Sequence, residues 1–515
     1  MTAPEKYRYE VLPIAALLLL GSLAFVHLMA LPAFEDEGSQ LRWVWRIIAA
    51  GEWLQPLGDG KPLEAWPLVP LVRLGFRPLI AARALHVLAG MIGAVLIYRL
   101  ARQMTGRPAA FVTGVLFALC PFEVYLQRLA LSDSFMCAAG IWVLLCVIRF
   151  IEKPDARQAV LLAISLVLEA FCKFPVGFFF LIAMPMALLL MPSHKRRELL
   201  RPPALRNLVG AHAPAVLLAA AVFVAAFIRV RSGHSAGFGL QDLMGIGAGR
   251  YQDIAATMGI VRPNLASELS AQLSWPVMVI GLVGLVAGAF LNDWRKRWLI
   301  VIGLLPMLGI GLFAQFWFPR YLLFTIPPLI IAAVAGWQDL SLRAGLIRVA
   351  VQLAVLALCV GFMGHQSALI IQNPLGARWS PLDRSQYIEG GGSGYGYPEA
   401  AQFLLGETNA PEMIYALDGH SAYQLLSYLP ASWTHRVKPV LYGEDGRELR
   451  SDDARLENLL NHGPARIIIS EGLLQGYLAS TFGSANIDQI DLRQIAVFDK
   501  PGSRARLAFY AVTRR

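Results

Sequence analysis

Charged residues are scarce in this chain. Lysine, arginine, aspartate and glutamate make up 16% of the 515 residues, against about 25% in soluble domains. Apolar residues make up 56%, and several of their runs reach the roughly 20 residues needed to cross a hydrocarbon core. The composition excludes an ordinary soluble protein and predicts a membrane protein with several spans.

Cysteine is also rare. The five cysteines all stand in apolar segments and none lies in the polar C-terminal region, so we expect no disulfide bonds. The histidines lack metal-ligand spacing, and the sequence has no internal repeat. The glycine-rich segment 390–400 has no strand before it and no Lys-Ser or Lys-Thr after it, unlike a phosphate loop. We interpret it as a turn that leads into a helix near Pro398.

The net charge of +10 is concentrated in short loops between apolar runs. Lysine and arginine fill positions 195–197 in one loop and 295–297 in another. Such loops are typical of the cytoplasmic side of membrane proteins. The charge therefore indicates a lipid bilayer as the partner and argues against nucleic acid.

The apolar runs predict a polytopic α-helical protein with about eleven transmembrane helices. The first run follows Lys6 and Arg8 and has no small-residue cleavage site, so we interpret it as an uncleaved span with a cytoplasmic N-terminus. This orientation places 32–80, 230–274 and the C-terminal region outside the cytoplasm. The predicted spans are 11–31, 81–103, 108–127, 131–150, 157–173, 175–191, 208–229, 275–291, 298–317, 320–337 and 346–366.

Two domains are predicted, a transmembrane domain over 1–366 and an extracytoplasmic α/β domain over 367–515. In the second, β-rich apolar runs alternate with helix-like stretches. The strands are predicted at 412–417, 437–442, 465–470 and 506–512, and the helices at 398–407, 420–428 and 452–461.

The first outer loop, 32–80, contains a predicted helix over 37–50 and a second apolar stretch over 64–76. Both either lie along the membrane surface or pack on the helical bundle. In the first, the apolar residues follow the i, i+3, i+4, i+7 spacing of one helical face: Leu41, Val44, Trp45 and Ile48.

Three adjacent carboxylates, Glu35, Asp36 and Glu37, follow the first predicted span. Ionisable residues near spans are candidate functional groups, because burying one in a membrane costs about 2.5–3.5 kcal/mol. Mutual repulsion raises the proton affinity of such a cluster and suits a base or a metal ligand. The structural alternative is that Asp36 caps the helix that follows.

A fourth carboxylate, Asp133, opens the fourth predicted span. Arg128 stands close enough in the chain to pair with it. The structural alternative is a helix cap made by Ser132 or by Asp133 itself.

Three cations, Lys61, Lys173 and Arg320, fall on the same predicted side of the membrane. Lys173 has apolar neighbours, so its side chain either extends to the headgroups or joins the other two in binding a lipid-linked phosphate. Such a phosphate carries one or two negative charges and suits lysine and arginine.

The order of these residues resembles that of the GT-C membrane glycosyltransferases, and more narrowly that of bacterial relatives of the protein O-mannosyltransferases and of the lipid A aminoarabinose transferase. An acidic pair follows the first span, Lys-Pro stands at 61–62, an aspartate opens the fourth span, a lysine follows the fifth, and Arg-Tyr stands at 320–321. The resemblance covers essentially the whole chain. It departs at Glu35, which makes the pair a triplet, and at Leu63-Glu64 after the Lys-Pro.

The resemblance implies an inverting transfer of a sugar from a polyprenyl-phosphate donor to a hydroxyl of a protein, lipid or polysaccharide, at the outer face of the bacterial inner membrane. Asp36 is then the base, and Asp133 and Glu37 either orient the acceptor or, with Asp36, bind a divalent cation. The remaining expected site residues are the carrier-phosphate cations and three additional candidates: Lys61, Lys173 and Arg320, and Glu35, Arg128 and Tyr321.

Two other functions remain open at this point. A transporter or flippase for a lipid-linked saccharide also needs an outer cavity with cations, although the sequence has no internal symmetry and no paired broken spans. A non-catalytic scaffold would not need acidic and basic residues around one cavity.

Overall fold

The structure is a computed structural model in which the chain forms two compact units. The first comprises 1–28, 53–67 and 82–382, and the second comprises 29–52, 68–81 and 383–515. The predicted division at residue 366 assigned the whole of 32–80 to the transmembrane domain, whereas the contacts group much of it with the C-terminal region. The described residues are 3–58, 61–173, 180–231, 265–290, 293–313, 318–341, 346–407, 413–417, 419–440, 457, 459–460, 465–470, 474–482, 488–502 and 506–515.

The first unit is helical. Helices coincide with the predicted apolar runs because a backbone surrounded by hydrocarbon must satisfy its own hydrogen bonds. The helices are α1 (Ala3–Ser22), α3 (Gln55–Gly58), α4 (Pro62–Ala65), α6 (Pro78–Ala101), α7 (Arg107–Ala118), α8 (Pro121–Leu126), α9 (Asp133–Glu152), α10 (Ala156–Cys172), α11 (Ala183–Leu190), α12 (Ser193–Leu199), α13 (Pro202–Arg231), α14 (Leu265–Leu273), α15 (Trp275–Phe290), α16 (Trp294–Phe313), α17 (Ile326–Ser341) and α18 (Leu346–Gln372).

Within the described residues, five helical segments are long and apolar enough to cross a membrane, or six if α14 and α15, which meet at 107°, form one broken span. The number of eleven spans therefore stays a prediction. The five segments are Pro78–Ala101, Asp133–Glu152, Pro202–Ala221, Pro319–Leu340 and Ala350–Gln372. Most of the second outer loop, 230–274, lies outside the described residues.

Several predicted spans differ in extent from the α-helices observed, among them the first and the third. The span predicted over 11–31 ends as an α-helix at Ser22. In the segment that follows, the carbonyls of Ala24, Val26 and His27 accept hydrogen bonds from the guanidinium of Arg128. The span predicted over 108–127 is divided into α7 and α8. Pro121 begins the second of these, since proline lacks the N–H that a continuous helix would use.

The second unit contains a five-stranded mixed sheet in the order β2-β1-β3-β5-β4. Strand β1 pairs in parallel with β2 and β3, and β5 pairs antiparallel with β3 and β4. The strands are β1 (Ile414–Ala416), β2 (Val437–Pro439), β3 (Ala465–Ser470), β4 (Ile490–Asp499) and β5 (Arg506–Arg514). The helices of this unit are α2 (Glu35–Ala50), α5 (Leu68–Arg73), α20 (Tyr397–Gly406), α21 (Gly419–Leu426) and α22 (Leu474–Phe482). The short helix α19 (Pro381–Arg384) contains the position in the chain, after residue 382, at which the first unit ends.

Alternation along the strands builds a core on each face of the sheet. In β3, Ile468 faces one core while Ile467 and Ile469 face the other. Strands β1, β2, β3 and β5 fall in the four predicted runs. Edge strand β4 was missed, because its side chains are mostly half-exposed and include charged residues that mask the apolar alternation.

Helix α2 packs on α21 within the second unit. Gly38 allows the contact, since a Cβ there would stand 2.9 Å from the backbone nitrogen of Gln424. Leu41 and Val44 are buried as predicted, but Trp45 and Ile48 are only half-buried. The buried face is completed by other residues of the helix: Glu37, Gln40, Trp43 and Ile47.

Candidate active site

The acidic triplet forms the first turn of α2 in the second unit. Glu37 is fully buried, and its Oε2 accepts the backbone N–H of Phe34 at 2.9 Å. Phe34 is the N-cap residue of α2, so Asp36 does not hold the capping position, and Glu37 satisfies the N–H of Phe34. Asp36 is half-buried, and all three carboxylates lie where the positive end of the helix dipole stabilises negative charge.

The glycine-rich segment holds this helix start in place. The carbonyl of Gly392 accepts the N–H of Glu35, at 3.1 Å, and the side-chain amide of Gln424, at 2.9 Å. The same amide binds the carbonyl of Ala33 at 2.9 Å. A Cβ on Gly394 would overlap the backbone of Ala33, so this close approach requires glycine.

Lys500 in turn fixes the glycine-rich segment. Its ammonium is buried, with 3% of the residue exposed, and donates to the carbonyls of Gly390, Gly391 and Ser393 at 3.2, 2.8 and 2.8 Å. The segment is thus a structural turn, as predicted, and it also buttresses the residues beside Asp36. The roles of Lys500 and Gln424 were not foreseen from the sequence.

In the first unit, Asp133 and Lys173 form a buried ion pair. Helices α9 and α10 are consecutive, antiparallel and of similar length, roughly 25–30 Å, so the first residue of α9 meets the residue that follows α10. The ammonium of Lys173 lies 2.8 Å from Oδ1 of Asp133, with 11% and 3% of the side chains exposed. Lys173 therefore has a carboxylate partner, and Asp133 is not a helix cap, since the N-cap is Ser132 and its side chain makes no capping bond.

Aromatic rings join this pair to the Arg-Tyr motif. Arg320 and Tyr321 belong to a 3₁₀ helix, Pro319–Thr325. The Lys173 ammonium lies 4.5 Å from the centre of the Tyr321 ring, and the Arg320 guanidinium lies 4.7 Å from that of Phe318 and 5.6 Å from that of Tyr321. Both cations are desolvated and positioned by cation–π contacts.

Glu64 is a site residue that the sequence presented only as a departure from the family pattern. It lies in α4, outside the helices long enough to cross a membrane, and is 3% exposed. Burial raises the pKa of its carboxyl to about 7; nearby Lys61, Ser132 and Lys173 lower it, and Asp133 raises it. The structure thus brings Lys61, which precedes α4, into one cluster with the Asp133–Lys173 pair.

Arg128 does not pair with Asp133 as the sequence suggested. It donates to the carbonyls of Ala24 and Val26 at 2.6 and 2.7 Å and to that of His27 at 2.6 Å. Its role is to satisfy the backbone that leaves α1.

Two of the three carboxylates predicted to bind a divalent cation have other partners. Asp133 is occupied by an ammonium and Glu37 by a backbone N–H. In the described part of the chain, no group of three or more His, Cys, Asp and Glu side chains is arranged to hold a metal ion. The divalent cation therefore stays a prediction.

The predicted site residues fall into two sets. Lys61, Asp133, Lys173, Arg320 and Tyr321 gather in the first unit, whereas the acidic triplet belongs to the second. That the two sets share one cavity stays a prediction.

The first unit also contains a cavity of about 800 Å³ with an almost wholly apolar lining. Side chains of α7, α15, α17 and α18 line it, among them Val112, Leu282, Leu329 and Leu356. Such a cavity suits a hydrocarbon chain rather than a polar ligand.

Comparisons with known proteins agree with this architecture. Residues 59–228 match the family model described as dolichyl-phosphate-mannose-protein mannosyltransferase. No curated protein sequence matches the chain at a significant level.

Solved structures match nearly the whole chain. ArnT from Cupriavidus metallidurans in the apo state has a TM-score of 0.59 and 15% identity, covering 99% of this chain and 98% of ArnT. ArnT bound to undecaprenyl phosphate has a TM-score of 0.57 and 16% identity, with 98% of each chain covered. A third match is the oligosaccharyltransferase AglB from Archaeoglobus fulgidus in complex with an inhibitory peptide and a dolichol-phosphate. It has a TM-score of 0.55 and 10% identity, covering 98% of this chain and 75% of AglB.

These likenesses show that the chain has the GT-C fold. The resemblance inferred from the order of its motifs is confirmed at that level.

Proposed function

We propose that this protein transfers a sugar from a polyprenyl-phosphate donor to a hydroxyl acceptor. The observation that carries the proposal is the first-unit cluster of Lys61, Asp133, Lys173, Arg320 and Tyr321, in which Asp133, Lys173 and Arg320 are buried. Three cations against one ion-paired carboxylate leave positive charge in a poorly hydrated site, and such a site favours a phosphate.

The chemistry of the donor suits this cluster. A polyprenyl-phosphate sugar is a phosphodiester with one negative charge, and its phosphate gains a second as the bond to the sugar breaks. Cations positioned in a desolvated site stabilise that developing charge more than water does. In this proposal Lys61, Lys173 and Arg320 bind the carrier phosphate, while Asp133 fixes the ammonium of Lys173.

The acceptor hydroxyl needs a base. The resemblance assigns this role to Asp36, which stands on a helix start held rigidly by Glu37 and by the glycine-rich segment. A positioned carboxylate contributes typically 10²–10⁴-fold to such a step. Direct attack by the hydroxyl would invert the anomeric centre.

The apolar cavity of the first unit offers a place for the isoprenoid chain of the donor. ArnT and AglB, whose fold this chain shares, have been solved with undecaprenyl phosphate and dolichol-phosphate respectively. The basic loops favour a cytoplasmic N-terminus, and we propose that the transfer takes place at the outer face of a bacterial inner membrane.

The decisive experiment combines purified full-length protein with a panel of polyprenyl-phosphate sugars and candidate acceptors. Mass spectrometry should detect free polyprenyl phosphate together with an acceptor that has gained one sugar. In proteoliposomes, movement of an intact lipid-linked sugar across the bilayer without cleavage would instead favour the flippase function. Absence of both activities across the panel would favour the scaffold.

A further inference from the structure

Glu64 lies beside the first-unit cluster of Lys61, Asp133, Lys173, Arg320 and Tyr321, and it differs from Asp133 in its hydrogen bonding. In the described part of the chain, neither of its oxygens has a hydrogen-bond partner, although the residue is only 3% exposed. The Ser132 hydroxyl lies near enough to affect its pKa but not in hydrogen-bond geometry. Leaving a buried polar group unbonded costs about 1–3 kcal/mol, which a folded site tolerates where a ligand completes the bonds.

The ionisable groups around Glu64 come from three segments. Lys61 precedes its own helix α4, Asp133 begins α9, and α10, which packs on α4, contributes Lys173 at its end and Cys172 in its last turn. Glu169, also on α10 and fully buried, lies beside Cys172. The nearest cations are thus the two lysines already proposed to bind the carrier phosphate.

Two carboxyls of one cluster therefore stand in opposite environments. Asp133 is paired with an ammonium 2.8 Å away. Glu64 is buried without a hydrogen bond, and burial favours its neutral form, raising its pKa to about 7. A bound phosphate anion would repel the carboxylate and raise that pKa further. Pairs of carboxyls divided in this way often take different roles in one reaction.

We propose that Glu64 is the proton donor to the carrier phosphate during sugar transfer. This inference rests on the proposed function. The neutral carboxyl donates a hydrogen bond to a phosphate oxygen bound by Lys61 and Lys173, at a place where a carboxylate would repel the donor. Glu64 thereby acts on the leaving group, while the base acts on the acceptor.

In the proposed step, one bond to the anomeric carbon forms, one breaks, and two protons move. The acceptor oxygen forms a bond to the anomeric carbon, and its proton passes to Asp36. The bond from that carbon to the phosphate oxygen breaks, and its electron pair stays on the oxygen. The proton of Glu64 moves to the phosphate, which leaves a Glu64 carboxylate and a polyprenyl hydrogen phosphate. Proton exchange with water then returns Asp36 to the carboxylate and Glu64 to the carboxylic acid. Because the second pKa of a phosphate monoester is about 6, it lies close enough to that of Glu64 for the proton to be shared.

The test compares Glu64→Gln with wild type over a range of pH, using the full-length protein and a donor that it turns over. The protonated form is the active one, so wild-type kcat should fall as pH rises through the pKa of Glu64 in the donor complex, at or above about 7. Glu64→Gln keeps the size and a hydrogen-bond donor but has no transferable proton. We expect kcat to drop roughly 10²-fold or more, KM for the donor to change little, and the fall at alkaline pH to disappear.

Glu123→Gln is the matched control. Glu123 is 1% exposed and, within the described chain, has no hydrogen bond to either oxygen, yet no lysine or arginine contributes to its electrostatic environment. This variant should keep the kcat and pH profile of wild type. Glu64→Asp should retain part of the activity together with the alkaline fall. Wild-type kcat and an unchanged alkaline fall in Glu64→Gln would overturn the proposal.

A second readout does not depend on turnover. Infrared difference spectra between wild type and Glu64→Gln should contain a carboxylic-acid carbonyl band at neutral pH that strengthens when polyprenyl phosphate alone is added. If no donor is turned over, the proposed function fails, yet a band that still responds to polyprenyl phosphate supports the contact between Glu64 and the phosphate. A band that is absent at pH 6, or unchanged by polyprenyl phosphate, overturns the proposal.

Discussion

In the first unit, Asp133 meets a lysine ammonium 2.8 Å away, in surroundings that leave 3% of its side chain exposed. In the second unit, Glu37 is just as buried but accepts a backbone N–H instead. The partner of Asp133 is the side chain of Lys173, which is distant in the chain, whereas the partner of Glu37 is a backbone N–H in its own helical turn. Removing one partner therefore has very different consequences in the two units, and the predictions below test this difference.

The largest effect is expected from Lys173→Met. It leaves Asp133 charged, buried and unpaired, which typically costs 3–5 kcal/mol, and it removes a cation from the proposed phosphate site. Thermal unfolding of the purified protein should shift strongly downward and transfer should be lost. Lys153→Met is the matched control, since Lys153 pairs with Asp155 in the same unit but 77% of its side chain is exposed.

The double variant Asp133→Leu with Lys173→Met separates stability from function. Replacing both members of a buried pair by apolar residues is often neutral, so most of the lost thermal stability should return while transfer stays absent. A double variant that is no more stable than Lys173→Met would contradict the assignment of the pair as the source of the loss.

Asp36→Asn should have the next largest effect, and on activity alone. The substitution keeps size and shape but removes the proposed base, so transfer should fall roughly 10²–10⁴-fold. The unfolding temperature should be nearly unchanged, because the bond from the Phe34 N–H to Glu37 at the helix start is kept. Normal turnover of this variant would reject Asp36 as the base.

The sequence predicted the helices of the first unit well, because uninterrupted apolar runs are visible without any partner. It also singled out Asp133 and Lys173, since charges at span ends stand out. Their pairing was not predicted, because it depends on two antiparallel helices of matching length. Glu64 was noticed only as a departure from the family pattern, since a side chain's burial in α4 leaves no periodic signal in so short a helix.

The second unit was harder to predict in its details. Lys500 binds backbone carbonyls more than a hundred positions earlier in the chain, and any residue types at 390–393 would present the same carbonyls. Such a contact leaves no pattern in side-chain identity. The packing of α2 on α21 likewise depends on Gly38. From the sequence alone, this glycine indicates only a lower helix propensity.

A moderate loss of stability is expected from Gly394→Ala in the second unit. The new methyl group would overlap the backbone of Ala33, and forcing an extra methyl into a packed contact costs about 1–3 kcal/mol. Because Ala33 leads into the turn that carries Asp36, kcat should fall as well. Gly406→Ala is the control. Its Cβ would meet nothing within 4 Å, so neither the unfolding temperature nor kcat should fall.

The smallest effect on stability is expected at the ion pair of Arg46 and Glu52 in the second unit, which is exposed where the pair of Asp133 and Lys173 is buried. The two side chains approach to 2.7 Å, closer than Lys173 and Asp133, but 33% and 36% of them are exposed. Exposed pairs contribute about 0–1 kcal/mol, because water solvates each charge when the other is removed. Glu52→Gln should therefore shift thermal unfolding only slightly, and raising the salt concentration should remove the shift. A loss as large as that of Lys173→Met would mean that burial does not set the strength of these pairs, and the contrast between the two units would need another cause.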